Sequence, residues 1–395
     1  MKKVFFIFLL SFNLFSQEFF IVSYPSNVSG GEGAIINPSS MVELEGFQFF
    51  SGLSYSYEKT KAGDYSSKNE KNLKGFISAS YNITEDIAVG VSNFPLFFQN
   101  SSFKMDVPFR YDLRKFNYNA EEKRASLGIR VLNDLNIGFS LRQIDLDFSL
   151  SKSELSPKIE NSNYEIQGNY KGQKKDITFE LSSLYKYKDF KFAFIFRPQS
   201  KITYNYSDFS VNFNPYGDIS EEVLKTLKTY YPSGGVETEA YIPQEVIFSG
   251  TKAVGLFETS ISFVWTKWSS WKSIRLDYKN ETVDPSTGED VLKDQEIALD
   301  FTDSFKLKGL ISYEFSNKLK TYFEITLREK ITDKAEFAGM EMGNGIEFTL
   351  AGSYPLKYSI FDGRIFGWYT FSFYKKNNNF DYKKNFLGAG LYFSF

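Results

Sequence analysis

Histidine and cysteine are both absent from the 395 residues, and that absence closes most routes to bond-making chemistry. A Ser-His-Asp relay, a cysteine nucleophile, a histidine general base and a zinc site built on Cys or His all need side chains the chain lacks. No paired-carboxylate signature stands out among the 48 acidic residues, so the sequence predicts no enzyme, no cofactor and no metal. Disulfides are excluded too. With 46 basic residues against those 48 acids and no basic patch, nucleic acid is not an expected partner.

What these residue types can do is hold apolar matter. Phe94, Leu96, Phe97 and Phe98 form one greasy cluster, assigned to a long loop over 95–118. A second cluster is Val223, Leu224 and Leu227. It lies in a segment where Asp218-Ile219-Ser220-Glu221 has capping-box spacing and apolar side chains recur on one helical face. These seven residues are the candidate substrate-binding set, and burial of apolar surface at about 25 cal/mol per Å² would supply the affinity. Ordinary loop packing and a helix that only covers a barrel mouth are the competing readings. Arg142, Arg197 and Arg328 could meet a carboxylate or pair with acids of a lumen.

The elements that must position these groups are strands. Aromatic content is 18%, with 43 Phe and 26 Tyr, and apolar residues alternate with polar ones through segment after segment. Phe190, Phe192, Phe194 and Phe196 against Lys191, Ala193, Ile195 and Arg197 is one example. Fourteen strands are predicted, roughly 46–57, 73–83, 86–94, 119–133, 135–150, 174–187, 189–206, 236–254, 256–279, 296–315, 318–330, 342–355, 357–375 and 382–395. In the fifth, apolar parity switches at Arg142-Gln143, which suggests a bulge. Short turns, including one at Pro355-Leu356, alternate with long polar loops, as in barrels with short periplasmic turns and long outer loops. The final strand ends on Phe395, and pairing with the first would remove a free edge. The expected class is all-β, a transmembrane antiparallel β-barrel of about fourteen strands.

The N-terminus provides an address. Lys2-Lys3, an apolar run from Val4 to Phe12 and a polar exit after Ser16 have the order of a secretory signal over 1–16. The run is too short to span hydrocarbon as a helix. Residues 17–45 then precede the barrel proper, 46–395. Within them SGGEGAIINPSSM (29–41) does not resemble a strand. Its glycines tolerate unusual backbone angles, and Asn37-Pro38 is a turn-initiating pair. Such a segment either hangs in the periplasm or folds into the lumen as a plug.

Gly31-Glu32-Gly33-Ala34 followed by Asn37-Pro38-Ser39 resembles the N-terminal hatch of the FadL/TodX family of outer-membrane transporters for long-chain fatty acids and aromatic hydrocarbons. Ser39 stands where Ala is usual, and the spacer Ile35-Ile36 is several residues shorter than the family's. Ile242-Pro243-Gln244-Glu245-Val246 with Trp265-Thr266-Lys267-Trp268-Ser269-Ser270-Trp271 is similar to the family's proline-led strand and tryptophan segment. Phe301-Thr302-Asp303-Ser304-Phe305 ahead of Gly309 and Tyr313 is similar to a later strand. The resemblance implies a hatch that includes Gly31, Gly33, Asn37 and Pro38, and passive, ligand-gated uptake of hydrophobic molecules at the bacterial outer membrane. Implied partners are a hydrophobic small molecule, outer-membrane lipids, and the barrel-assembly machinery through the C-terminal strand. A general diffusion porin and a surface adhesin or structural protein are the alternatives.

Overall fold

The computed structural model describes residues 24–28, 30–62, 65–67, 70–103, 115–159, 162–213, 219–285, 287–329, 331, 344–358, 361–374 and 380–395. The proposed signal segment 1–16, Asp218 of the capping box and the side chains of Phe97 and Phe98 lie outside them. Fourteen antiparallel strands close into one barrel: β1 (Phe47–Ala62), β2 (Glu70–Thr84), β3 (Ile87–Ser102), β4 (Lys115–Leu132), β5 (Leu135–Leu155), β6 (Glu165–Tyr187), β7 (Phe190–Arg197 and Ser200–Asn212), β8 (Gly234–Ile242 and Gln244–Val254), β9 (Phe257–Lys267 and Ser273–Tyr278), β10 (Gln295–Ala298 and Ser304–Glu314), β11 (Lys320–Arg328), β12 (Gly345–Tyr358), β13 (Phe361–Tyr374) and β14 (Phe380–Ser394). Each strand pairs with the next, and β1 pairs with β14 from Gln48↔Ser394 to Ala62↔Phe380, so neither the first nor the last strand is left as an open edge.

Side chains of period two face lipid and lumen in turn. On β5, Ile137, Phe139 and Leu141 are exposed, and on β6 so are Ile177, Phe179 and Leu181. In a soluble protein such a belt would be costly, whereas hydrocarbon solvates it. Among the described residues no helix is long and apolar enough to cross a membrane.

Several strand ends differ from the sequence-based boundaries. β3 and β4 run through much of 95–118 and pair across it, so Phe94 to Phe98 belong to a strand. β5 and β6 likewise extend to Leu155 and from Glu165. Pro355 pairs with Arg364 inside β12, and the pairing with β13 continues to Tyr358↔Phe361. No bulge interrupts β5 at Arg142-Gln143, where pairing with Arg124 and Lys123 is regular.

Strands β7 to β10 are each broken once. Pro198 and Pro243, which cannot donate to a ladder, separate the segments of β7 and β8. A 3-10 turn at Trp268–Ser270 interrupts β9. Between β6 and β7 the pairing jumps from Leu181↔Phe196 to Lys171↔Asp208, which leaves 172–180 of β6 without a ladder partner there. Side chains bridge this seam: Lys174 Nζ donates to Thr203 O at 2.5 Å, Ser200 Oγ to Asp176 and Arg197 Nε to Glu180 Oε2 at 2.6 Å. The ring of Tyr204 sits where a Cβ on Gly172 would be, 2.6 Å from its nearest carbon.

Among the described residues two α-helices complete the fold: α1 (Gly30–Ile36), followed by a 3-10 turn at Pro38–Glu43, and α2 (Glu221–Tyr230).

Candidate functional site

The lumen is stacked in three layers, and single strands pass through all of them. From the short-turn end upward, the lumen face of β5 carries Asn136, Gly138 and Ser140, then Arg142, then Ile144, Leu146, Phe148 and Leu150, all buried. The order on β4 is Gly128 and Ser126, then Arg124 and Glu122, then Ala120, Tyr118 and Phe116.

The lowest layer receives the N-terminal segment. Asn37 caps the 3-10 turn: its side chain accepts from Ser39 N at 3.3 Å and from Ser39 Oγ at 2.6 Å, and its Nδ2 donates to Pro25 O at 2.7 Å. That interlocks both ends of the segment, as a capping Asn can. The strands contribute serines: Ser39 N donates to Ser182 Oγ at 3.2 Å, Ser78 Oγ to Gly31 O at 2.6 Å and Ser92 Oγ to Ala34 O at 3.1 Å. Arg130 Nη2 donates to Val42 O at 2.8 Å, and Lys186 pairs with Glu43 at 2.6 Å. Further along the chain toward the N-terminus, Ser26 Oγ lies 2.6 Å from Ser249 Oγ of β8, and Asn27 Nδ2 donates to Glu258 of β9 at 2.6 Å. The segment thus crosses the lumen and touches both sides.

Gly31 and Gly33 sit in α1 without positive φ, so backbone freedom is not what they supply. Space is. A Cβ on Gly31 would lie 3.3 Å from Phe50 Cβ, and one on Gly33 would lie 2.6 Å from Ser40 Oγ. Of the four sequence-selected residues, Asn37 makes the capping bonds and Pro38 is buried at the first position of the 3-10 turn.

The middle layer is ionic. Glu122 accepts from Arg142 through two bonds of 2.7 Å and pairs with Arg124. Arg124 also pairs with Glu180 at 2.9 Å, and Arg197 joins Glu180 to Glu245. Three guanidinium groups therefore neutralise three carboxylates, which is the condition for burying charge. Arg124 Nη1 reaches down to Ile35 O at 2.7 Å and the guanidinium stands 4.7 Å from the Phe94 ring centroid. Among the described residues Arg142 Nη1, Arg124 Nη2 and Glu180 Oε1 have no hydrogen-bond partner. Arg328 belongs to a separate pair, 2.8 Å from Glu347.

The top layer is the largest buried apolar cluster. It joins Phe116, Tyr118, Ile144, Leu146, Phe148, Tyr170, Tyr204, Trp271, Ile274 and Phe301 to Val223 and Leu227 of α2. Ser220 caps α2, accepting from Val223 N at 3.3 Å. The helix is tied down where Tyr230 donates its hydroxyl to Asp284 at 3.1 Å.

The structure divides the five candidate binding residues whose side chains it describes. Val223 and Leu227 are buried in the upper cluster, with Leu96 packed against it, and Leu224 is half-buried. Phe94 instead packs with Val28, Ile35 and Ile36 at the level of the N-terminal segment. Phe94 and Leu96 thus join different clusters, with a register shift between Pro95 and Phe97 in the pairing of β3 with β4, and the side chains of Phe97 and Phe98 lie outside the described residues. The sequence reading missed Gly90, Gly128 and Gly138, which cradle the segment, and Glu122, Arg124 and Glu180. Their signal was parity: each occupies a lumen-facing position of its strand.

No family model matches the sequence, and no curated protein matches it. Solved structures do. A FadL homologue of Pseudomonas aeruginosa superposes with a TM-score of 0.75 at 14% identity, covering 94% of this chain and 93% of that one. The Ralstonia pickettii toluene transporter TbuX gives 0.68 at 12% identity, over 93% and 94% of the two chains. The P. putida toluene transporter TodX gives 0.66 at 11%, over 97% and 99%. At these identities the likeness establishes a shared fold over nearly the whole chain, and the earlier resemblance to the FadL/TodX family agrees with it.

Proposed function

We propose that this protein is an outer-membrane channel that takes up hydrophobic molecules by passive, ligand-gated diffusion, with long-chain fatty acids or aromatics as cargo. The observation that carries the reading is the stacking of the lumen: a buried aromatic chamber, a neutralised ionic floor, and a segment seated beneath it. A porin needs a wet, open passage, whereas these layers are packed closed. Cargo enters beside α2 and displaces Val223 and Leu227 from the chamber. Apolar burial at about 25 cal/mol per Å² binds it, and the spare N–H groups of Arg124 and Arg142 suit a carboxylate. Release follows either movement of the hatch, whose Ile35 carbonyl Arg124 holds, or parting of the seam between β6 and β7. No covalent step is involved. The structures named above as toluene transporters and a FadL homologue share the fold, which supports this cargo class.

The test is equilibrium binding of a labelled long-chain fatty acid, and in parallel of toluene, to the folded, purified barrel. Saturable binding in the micromolar range, weakened by Leu227→Asp, is the expected result. Steady ion conductance without saturable binding of either ligand would replace this reading with a general diffusion porin.

A further inference from the structure

A second polar site lies on the outside of the wall. Where β8 and β9 are broken, their ladder lapses: pairing ends at Thr238↔Leu276 and resumes at Gln244↔Lys267. A pocket of about 480 Å³ occupies the fork, lined by Glu239, Tyr241, Ser270, Lys272, Arg275 and Glu296 among others. Alternation shows which way it faces. Val236, Thr238, Ala240 and Ile242 of β8 and Ile274, Leu276 and Tyr278 of β9 are buried, so Glu239, Tyr241 and Arg275, of opposite parity, face outward.

The height of the pocket is set by its neighbours. Beneath it on the same outer faces stand exposed Phe248, Ile261, Phe263, Phe305 and Leu307. Trp265, half-buried and held by Asp303 through its Nε1 at 3.2 Å, marks where that belt ends. No large exposed apolar side chain lines the pocket itself. A ligand seated here meets charge above and lipid chains below.

Its chemistry is two-signed. Lys272 has no carboxylate partner among the described residues, and Arg275 is shared loosely between Asp277 at 3.2 Å and Asp294 at 3.7 Å. Both remain able to take a phosphate oxygen. Glu296 would repel a bare phosphate and Glu239 already pairs with Lys201 at 2.6 Å, but both carboxylates can accept from hydroxyl groups, and Ser270 both donates and accepts. A slender phosphoethanolamine arm would leave most of the volume empty, whereas the volume lies within the range of small-molecule sites.

We propose that this pocket holds the phosphorylated saccharide head group of an outer-leaflet glycolipid. Lys272 and Arg275 bind phosphate, and Glu239, Glu296 and Ser270 bind sugar hydroxyls, while the acyl chains lie on the belt below. The proposal rests on the outer-membrane reading above but uses none of the lumen residues.

The test is native mass spectrometry of the delipidated full-length barrel titrated with a bis-phosphorylated diglucosamine lipid. The proposal expects one tightly held lipid, about ten-fold weaker binding in Lys272→Ala/Arg275→Ala, and no change in Lys123→Ala/Lys175→Ala, at positions that lie on β4 and β6 and do not line the pocket. It also expects the same disaccharide without acyl chains to bind more weakly than the lipid. Equal affinity of wild type and the pocket variant would overturn the site. Phosphatidylethanolamine binding as tightly would overturn the saccharide, and the chain-free disaccharide binding as tightly would overturn a lipid-borne ligand. Fatty-acid binding measured on the same pocket variant should be unchanged, so failure of the transport reading is seen separately.

Discussion

Gly90, Gly128 and Gly138 face the lumen on three successive strands, and the N-terminal segment fills the space their missing side chains leave. A Cβ would lie 2.6 Å from Met41 Sδ, 2.5 Å from Pro38 O and 2.3 Å from Ser39 N, respectively. The last two are backbone atoms, which cannot swing aside. Gly138→Ala should therefore destabilise the barrel by about 1–3 kcal/mol, the range for overpacking. Gly309→Ala, whose Cβ meets nothing within 4 Å, should be neutral or stabilising by up to about 1 kcal/mol. Urea unfolding of the two variants checks this, and equal midpoints would show that the segment is not seated as described. Arg124 raises the complementary question of charge. Arg124→Gln removes one of the network's three guanidinium groups, itself buried, and should cost about 3–5 kcal/mol. Adding Glu180→Gln restores the balance and should recover part of that loss; a double variant as unstable as the summed singles would mean the network is not coupled.

At the scale of elements, β5 explains why some features were legible in the sequence and others were not. Below Arg142 its apolar residues, Ile137, Phe139 and Leu141, face lipid; above it Ile144, Leu146 and Phe148 face the lumen. The strand keeps its register throughout. What inverts is the surroundings, because the barrel stands clear of the membrane there and its interior becomes the dry side. A parity switch without a bulge carries that information, yet periodicity alone cannot separate the two causes. The same inversion hid the upper ends of β4 and β6, where outward Lys115, Asn117, Lys171 and Gln173 make them look like loop. Strand number and order were legible because the lipid-facing halves alternate cleanly. For α2 the amphipathic face was legible but its partner was not. Tyr230→Phe deletes the hydroxyl that donates to Asp284 while keeping the ring. It should leave barrel stability within about 1 kcal/mol and raise amide exchange across 221–230. Unchanged exchange would show that the tether does not hold the helix.

Considered as one body, the barrel owes its closure to the ladder and not to what fills it. Every neighbouring strand pair, including β1 with β14, is hydrogen-bonded independently of residues 24–45. Deleting 31–38 removes Ile35 and Ile36 from their cluster with Phe50, Phe76 and Phe94. The serines of the lower layer are then free to bond water. The deletion should therefore fold, with a lower urea midpoint, and its lumen should be wet up to the ionic floor. Removing the segment also frees Arg124 from the Ile35 carbonyl, so the floor loses its lower support. Steady single-channel conductance several-fold above wild type is the expected outcome, with fatty-acid binding in the upper chamber retained, because that cluster is built from β4 to β10 and α2. Conductance equal to wild type would place the barrier in the chamber itself. Loss of binding together with a gain in conductance would mean that the segment and the chamber form one site and not two.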